Sequence, residues 1–198
     1  MTSGLRRFAR RPPVDPEERC EMCARPIEHE HSHVVNVESR AILCACRPCY
    51  LLFTHASAGK HRAVPERYVH MPDLVGGRAW WETAGIPVRM AFVFTNSELG
   101  APAAFYPSPA GATESLLALD SWTQLMADNP VLADLAPDVE ALLINVEGET
   151  FEGFLVPIDA CYRLVGLVRL NWKGFDGGTE AWREIDGFFA ELRGRGRG

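Results

Sequence analysis

The stretch that decides the fold of the N-terminal region begins Cys20-Glu-Met-Cys23 and ends Cys46-Arg-Pro-Cys49. A C-x-x-C turn lets two thiolates converge on one ion, and two such turns complete a tetrahedral shell of four sulfurs. The segments between them, Val34–Val37 and Ala41–Leu43, are strand-like and predict a hairpin that brings the turns together. We therefore predict a zinc-ribbon-like knuckle module whose metal ligands are Cys20, Cys23, Cys46 and Cys49.

Zinc and iron both accept four thiolates. Zinc fits a closed site of this kind and usually holds a small fold together. Iron in a rubredoxin-like site would instead make the protein an electron carrier. Rubredoxin-type knuckles usually carry glycine after the second cysteine, whereas this chain has Ala24 and Tyr50 there. The sequence therefore favours zinc as the cofactor, with iron as the alternative.

Other side chains in the module could add to these ligands or replace one. Cys44 lies two residues before Cys46, so on a strand both would face the same side. It is a packed thiol, an alternative to Cys46, or a redox-active thiol beside the metal. His29, His31 and His33 alternate and would share one strand face, either as solvated residues or as ligands. Of these, His33 is the best replacement if one cysteine is not used.

Charge and hydropathy restrict the class of protein. The net charge of the 198 residues is −6, and it is uneven: residues 1–70 hold 11 Lys/Arg against 8 Asp/Glu, and residues 71–198 hold 9 against 18. An acidic body argues against nucleic-acid binding. No apolar run approaches the ~20 residues that span a bilayer, and none follows Arg6–Arg11 as a signal peptide requires. We predict a cytoplasmic protein with no membrane contact. In the reducing cytosol, clustered cysteines indicate metal binding rather than disulfides.

The chain divides into segments of different composition. We predict a flexible basic arm (1–19), the metal knuckle module (20–53), a connector (54–87), an α+β body (88–193) and a frayed tail (194–198).

The body has strand and helix patterns in alternation. Arg89–Thr95 and Ala103–Tyr106 are predicted partner strands, and Val139–Val146 forms a hairpin with Phe151–Val156. Helices are predicted to begin after Asp120, Asp159 and Thr179, and Cys161 falls on the apolar face of the second. Consecutive strands with short links predict an α+β fold, an antiparallel sheet with helices packed on one side.

Motifs of common enzyme classes are missing from the sequence. There is no dinucleotide-binding Gly-x-Gly-x-x-Gly turn, no phosphate-binding loop and no Gly-x-Ser-x-Gly elbow. The Pro/Gly-rich segment 107–115 is predicted to be a loop. Its residues Ser108, Thr113 and Glu114 are candidates for a binding loop, and a surface turn is the alternative. The sequence therefore favours a non-enzymatic protein without excluding an enzyme.

Several motifs together resemble an uncharacterised actinobacterial family whose genes often lie beside an oxygen-tolerant NiFe hydrogenase. The resemblance covers residues 19–193 and implies no catalytic residue. It implies an accessory or maturation protein whose partners are hydrogenase subunits or maturation factors, or a small electron carrier. The motifs are Arg19-Cys-Glu-Met-Cys-Ala24, Leu43-Cys-Ala-Cys-Arg-Pro-Cys-Tyr-Leu-Leu-Phe-Thr54, Tyr106-Pro-Ser-Pro-Ala-Gly-Ala-Thr-Glu-Ser115, Asn129-Pro-Val-Leu132, Val156-Pro-Ile-Asp-Ala-Cys-Tyr162 and Phe175-Asp-Gly-Gly178.

Overall fold

The computed structural model describes residues 18–55, 59–86, 88–115 and 122–196. Most of the predicted arm (1–19), the predicted cap Asp120 and the last two residues of the predicted tail lie outside these ranges. The strands are β1 (Ser32–Asn36), β2 (Ala41–Ala45), β3 (His61–Ala63), β4 (Val69–Met71), β5 (Met90–Asn96), β6 (Ala101–Ser108), β7 (Gly111–Ser115), β8 (Glu140–Glu147) and β9 (Thr150–Pro157). The helices are α1 (Arg47–Leu51), α2 (Gly77–Ala84), α3 (Trp122–Asp128), α4 (Ile158–Asn171) and α5 (Gly178–Arg195).

The body is built on an antiparallel sheet with the strand order β4-β9-β8-β5-β6-β7. The predicted hairpin at its centre is confirmed, since β8 and β9 pair from Glu140↔Pro157 to Glu147↔Thr150. Gly148 supplies the left-handed backbone (φ 55°) that this tight turn requires. The α+β class with an antiparallel sheet is therefore confirmed.

Helices cover both faces of this sheet rather than the one face we predicted. Leu143 of β8 packs in a cluster with α4 and α5, whereas its neighbour Leu142 packs with α2 and α3 on the opposite face. Both leucines are fully buried. A strand buried on both faces forms a continuous apolar run, as Ala141–Ile144 do in β8, and this run was the sequence signal of the second helical layer.

The predicted loop at 107–115 is wrong, because these residues form the end of β6 and all of β7. The two strands pair from Ala104↔Ser115 to Ser108↔Gly111. The predicted strand Ala103–Tyr106 was shorter than β6 and lay between its two prolines. Pro107 is paired with β7 only, and Pro102 with β5 only. Each proline thus has a neighbouring strand on one side only. The missing N–H interrupts no ladder when it lies on the other side.

The N-terminal module contains a second sheet, in the order β2-β1-β3. Strand β3 lies in the predicted connector and pairs with β1 at Val34↔Ala63. The two sides of β1 contact different cores: Val34 packs in the module with Tyr50, whereas Val35 packs with the core of the body. The sheet therefore lies between the cysteine-bearing side of the module and the body.

Among the helices of the described ranges, none combines the length and the apolar composition of a membrane span.

Candidate metal centre

The four predicted cysteine ligands converge in the structure. Their Sγ atoms all lie within 4.8 Å of one another, and the Sγ atoms of Cys23 and Cys46 are 3.7 Å apart. A tetrahedral ion with metal–sulfur bonds of about 2.3 Å requires sulfur–sulfur edges of about 3.8 Å. A disulfide would bring two sulfurs to about 2.05 Å. The arrangement can hold a metal ion.

The first pair of cysteines lies in a tight turn. The N–H of Ala24 donates to the carbonyl of Cys20 at 2.7 Å, and the N–H of Cys20 donates to the carbonyl of Arg25 at 2.8 Å. Ala24 has a φ of 60°, a left-handed conformation that glycine adopts more easily than alanine. The backbone shape of a glycine-containing knuckle is therefore present without the glycine.

The second pair lies at the beginning of a helix, not in a second turn of the same kind. Cys46 is the N-cap residue of α1, and Cys49 lies within that helix. The N–H of Tyr50 donates to the carbonyl of Cys46 at 2.9 Å. Pro48 is well placed here, because the first turn of a helix does not use its N–H groups internally. This first helical turn directs both thiols toward Cys20 and Cys23.

The thiols of the cluster differ in proton affinity. Burial alone would raise the pKa of Cys20, but the backbone N–H groups of Cys46, Met22 and Cys23 stabilise its thiolate and lower the pKa to about 6. Hydrogen bonding with the thiols of Cys46 and Cys23, together with burial, raises the pKa of Cys49 to about 12. The raised pKa keeps the Cys49 thiol protonated in the metal-free cluster, and a metal ion would displace that proton.

Cys44 lies away from Cys46, contrary to the prediction that both face the same side. Strand β2 ends at Ala45, so the chain turns into α1 before Cys46 and the strand alternation no longer applies. Cys44 pairs with His33 across the ladder. Burial, and then the carboxylate of Glu21, raises the pKa of the Cys44 thiol, and Glu21 also accepts the N–H of Cys44 at 2.6 Å.

His33 lies with His31 and Cys44 rather than with the four cysteines. Its Nδ1 is 2.7 Å from Oδ2 of Asp159, and His29 is exposed. Asp159 had been predicted as a helix cap, but the N-cap of α4 is Pro157 and Asp159 lies in the first turn. Sequence reasoning missed this partner, since no local signal joins residues that are 126 positions apart.

The candidates of the predicted binding loop lie on the β6–β7 hairpin. Ser108 donates to the carbonyl of Gly111 at 3.0 Å, and Thr113 donates to the Ser108 hydroxyl at 3.0 Å. Glu114 is exposed. Both hydroxyls therefore stabilise the hairpin itself, and ligand binding there stays a prediction.

Comparison with known proteins places the chain among relatives without an assigned activity. The DUF5947 family, a family of unknown function, matches residues 19–196. No curated protein and no solved structure matches the chain. The match begins next to Cys20, spans both sheets and ends beside the last residue of α5. The chain therefore belongs to the DUF5947 family.

Proposed function

We propose that Cys20, Cys23, Cys46 and Cys49 bind one Zn²⁺ and that this ion holds the N-terminal module in its folded shape. The convergence of the four thiols carries the proposal. Apart from Cys20 and Cys46, the buried core of the module consists of Val34, Ala45 and Tyr50. So small a core supplies little hydrophobic stabilisation, and structural zinc sites supply folding free energy in such units.

The second pair of ligands supports zinc over iron. A rubredoxin-like centre would have two equivalent knuckle turns, and here Cys46 and Cys49 belong to the first turn of α1. Two observations favour iron as the second candidate: Ala24 has the glycine-like φ of 60°, and Cys23 is exposed, as an electron-transfer edge would be. The metal itself distinguishes the two functions.

We propose further that the protein is a non-enzymatic accessory protein of the cytoplasm that docks on a protein partner. The exposed side chains of Leu51 (49%) and Leu52 (68%) at the end of α1 provide an apolar contact next to the cysteines. The resemblance described above suggests a NiFe hydrogenase subunit or a maturation factor as the partner.

Elemental analysis with a visible spectrum tests the metal proposal on full-length protein purified without a metal-binding tag. We expect zinc and no colour. Cys20→Ser and Cys23→Ser should each lose the zinc bound by the four cysteines. Cys161→Ala is the matched control, because that cysteine is buried in α4 and the body core and its loss should leave the zinc in place.

Iron with thiolate charge-transfer bands that bleach on reduction would overturn the zinc proposal and establish the electron carrier. A zinc content that Cys20→Ser and Cys23→Ser leave unchanged would overturn the assignment of the ligands.

The partner proposal is tested with purified components. We expect binding of purified hydrogenase subunits or their maturation factors by the wild type, and weaker binding by the Leu51→Ser/Leu52→Ser double variant. A strain without the gene should also lose hydrogen uptake. Unchanged hydrogen uptake together with no measurable binding would overturn the hydrogenase role and leave the zinc proposal unaffected.

A further inference from the structure

We infer that the body-facing side of the β1–β2 hairpin carries a second metal site, formed by His31, His33 and Cys44. Each residue has a ligand atom within 4.8 Å of a ligand atom of the other two. His33 and Cys44 are direct ladder partners, and the rings of His31 and His33 have centroids 4.8 Å apart. Two imidazoles and one thiolate suit zinc and neighbouring first-row divalent ions.

Both imidazole rings are oriented by acceptors that leave Nε2 for a metal. The Nδ1 of His31 is 2.9 Å from the carbonyl oxygen of Glu28, and the Nδ1 of His33 is 2.7 Å from the carboxylate of Asp159. A carbonyl and a carboxylate only accept, so each Nδ1 carries the proton and each neutral ring has its lone pair on Nε2. Metal-bound histidines are usually held in this way by a carboxylate or carbonyl behind the ring.

The lone pair on Nε2 of His31 has no hydrogen-bond donor among the described residues. The side chain of His31 is only 10% exposed, and its Nε2 is buried without a hydrogen-bond partner among the described residues. A buried polar atom left unsatisfied costs about 1–3 kcal/mol. A metal ion at this position would satisfy the atom and explain why the fold buries it.

Carboxylates around the cluster provide negative charge for a cation. Glu18 Oε2 lies 3.6 Å from the His31 ring, and Glu21 is bound to the backbone N–H of Cys44. The carboxylate of Asp159 is hydrogen-bonded to Nδ1 of His33. These groups would attract a divalent ion, and the bound ion, rather than the carboxylates, would stabilise the thiolate form of Cys44.

The site is separate from the four cysteines. His33 has the same strand parity as Val35, and Cys44 has that of Ile42; both Val35 and Ile42 contact the body core. Cys20 and Cys46 pack in the module core on the other side. The two metal sites would therefore lie on opposite faces of the hairpin, each with its own ligands.

The second site has three protein ligands, whereas the first has four. His31, His33 and Asp159 line a cavity of about 1390 Å³ between the module and the body, together with Arg163 and Arg195. Three protein ligands leave the fourth position of a tetrahedral ion to water or to a small anion from this cavity. This is the ligand pattern of a metal that exchanges ligands, not of one that only holds a fold.

Titration with Co²⁺ tests the inference on full-length protein, purified without a tag, demetallated and kept reduced. We expect two Co²⁺ per chain, one with the charge-transfer bands of four thiolates and one with those of a single thiolate. His31→Ala, His33→Ala and Cys44→Ser should each bind one Co²⁺ and keep the four-thiolate spectrum, which also shows that the module still folds. His29→Ala is the matched control and should bind two.

Two further readouts address the carboxylate and the open position. Asp159→Asn should still bind two ions but bind the second roughly 10- to 100-fold more weakly, since the carboxylate positions the ring of His33. Azide should change the spectrum of the second ion and leave the four-thiolate spectrum alone. A spectrum that azide does not alter would overturn the open character of the site.

The failure of this inference is distinguishable from that of the zinc proposal. Saturation at one Co²⁺ with four-thiolate bands would overturn the second site and support the proposed function. A second ion that survives His31→Ala and His33→Ala would also overturn it. One ion with single-thiolate bands that His33→Ala removes would support the second site and overturn the four-cysteine site.

Discussion

Nδ1 of His33 lies 2.7 Å from Oδ2 of Asp159, a hydrogen bond that joins β1 of the module to the first turn of α4 in the body. Both side chains are about three-quarters buried, so the contact is shielded from water more than a surface pair. It accompanies the packing of Val35 and Val37 on the body. Together these contacts fix how the module sits on the sheet.

Removing this carboxylate should loosen the module. In buffer without added metal, Asp159→Ala should lower the free energy of unfolding by about 1–2 kcal/mol, the usual cost of losing a part-buried, charge-assisted hydrogen bond. Urea denaturation measures the change. Asp176→Ala, at an exposed turn, is the control and should alter stability by less than about 0.5 kcal/mol. Equal effects of the two variants would contradict a specific role for the His33–Asp159 contact.

Metal removal should unfold the module and spare the body. A strong chelator takes away the folding free energy that the ion supplies to the small core around Val34. Amide hydrogen exchange should then show lost protection in β1 and β2 and retained protection in β8 and β9, whose core residues are fully buried. Protection that stays unchanged in β1 and β2 after complete metal removal would show that the ion is dispensable for folding.

The Glu152 carboxylate should make stability depend on pH. Arg193 donates to both of its oxygens, at 2.8 Å and 2.6 Å, and His70 lies 3.0 Å away. The hydrogen bonds from Arg193 lower the pKa of Glu152, although burial opposes them. A carboxyl with a lowered folded pKa contributes stability above its unfolded pKa of about 4.3 and loses it as the pH falls through the folded value.

Glu152→Gln should therefore be less stable than the wild type at pH 7, and the difference should vanish in acid. Parallel denaturation curves of the demetallated proteins between pH 7 and pH 3 measure it, since protonation of the cysteine thiolates then affects both proteins alike. Glu149→Gln, at an exposed position, is the control. A difference that grows as the pH falls would have the wrong sign for this carboxylate.

Ala24→Gly should strengthen the first knuckle. The alanine has a φ of 60°, and relief of that strain should outweigh the greater flexibility of glycine in the unfolded chain by about 0.5–1 kcal/mol. Competition with a chromophoric chelator should show zinc binding tighter by roughly two- to fivefold. Ala63→Gly in β3, where φ is not positive, should have the opposite effect; a matching gain in both variants would rule out strain at Ala24 as the cause.

Local spacing predicted the parts of the structure that depend on local geometry. The C-x-x-C pairs were expected to converge, and the Glu-Gly-Glu turn at 147–149 correctly joined β8 to β9. Strand β7 was missed because Pro107 and Gly111 are residues typical of turns. The neighbouring sequence does not show that β6 has a partner strand on only one side at Pro107. Such information exists only in the assembled sheet.

The second metal cluster could be predicted only in part for the same reason. The alternation of His31 and His33 is visible in the sequence, but their pairing with Cys44 depends on the register of β1 against β2. The role of Asp159 depends on the docking of α4, which no short motif encodes.

Strand β3 has a consequence for dividing the protein into fragments. It pairs with β1 through Val34↔Ala63, Val35↔Arg62 and Asn36↔His61, although it begins 12 residues after Cys49, the last cysteine of the module. A fragment that ends at residue 53 would leave that edge of β1 without its partner, and unpaired edges recruit other chains. An isolated metal-binding piece intended for spectroscopy should therefore extend through Val64, which also packs against the body core.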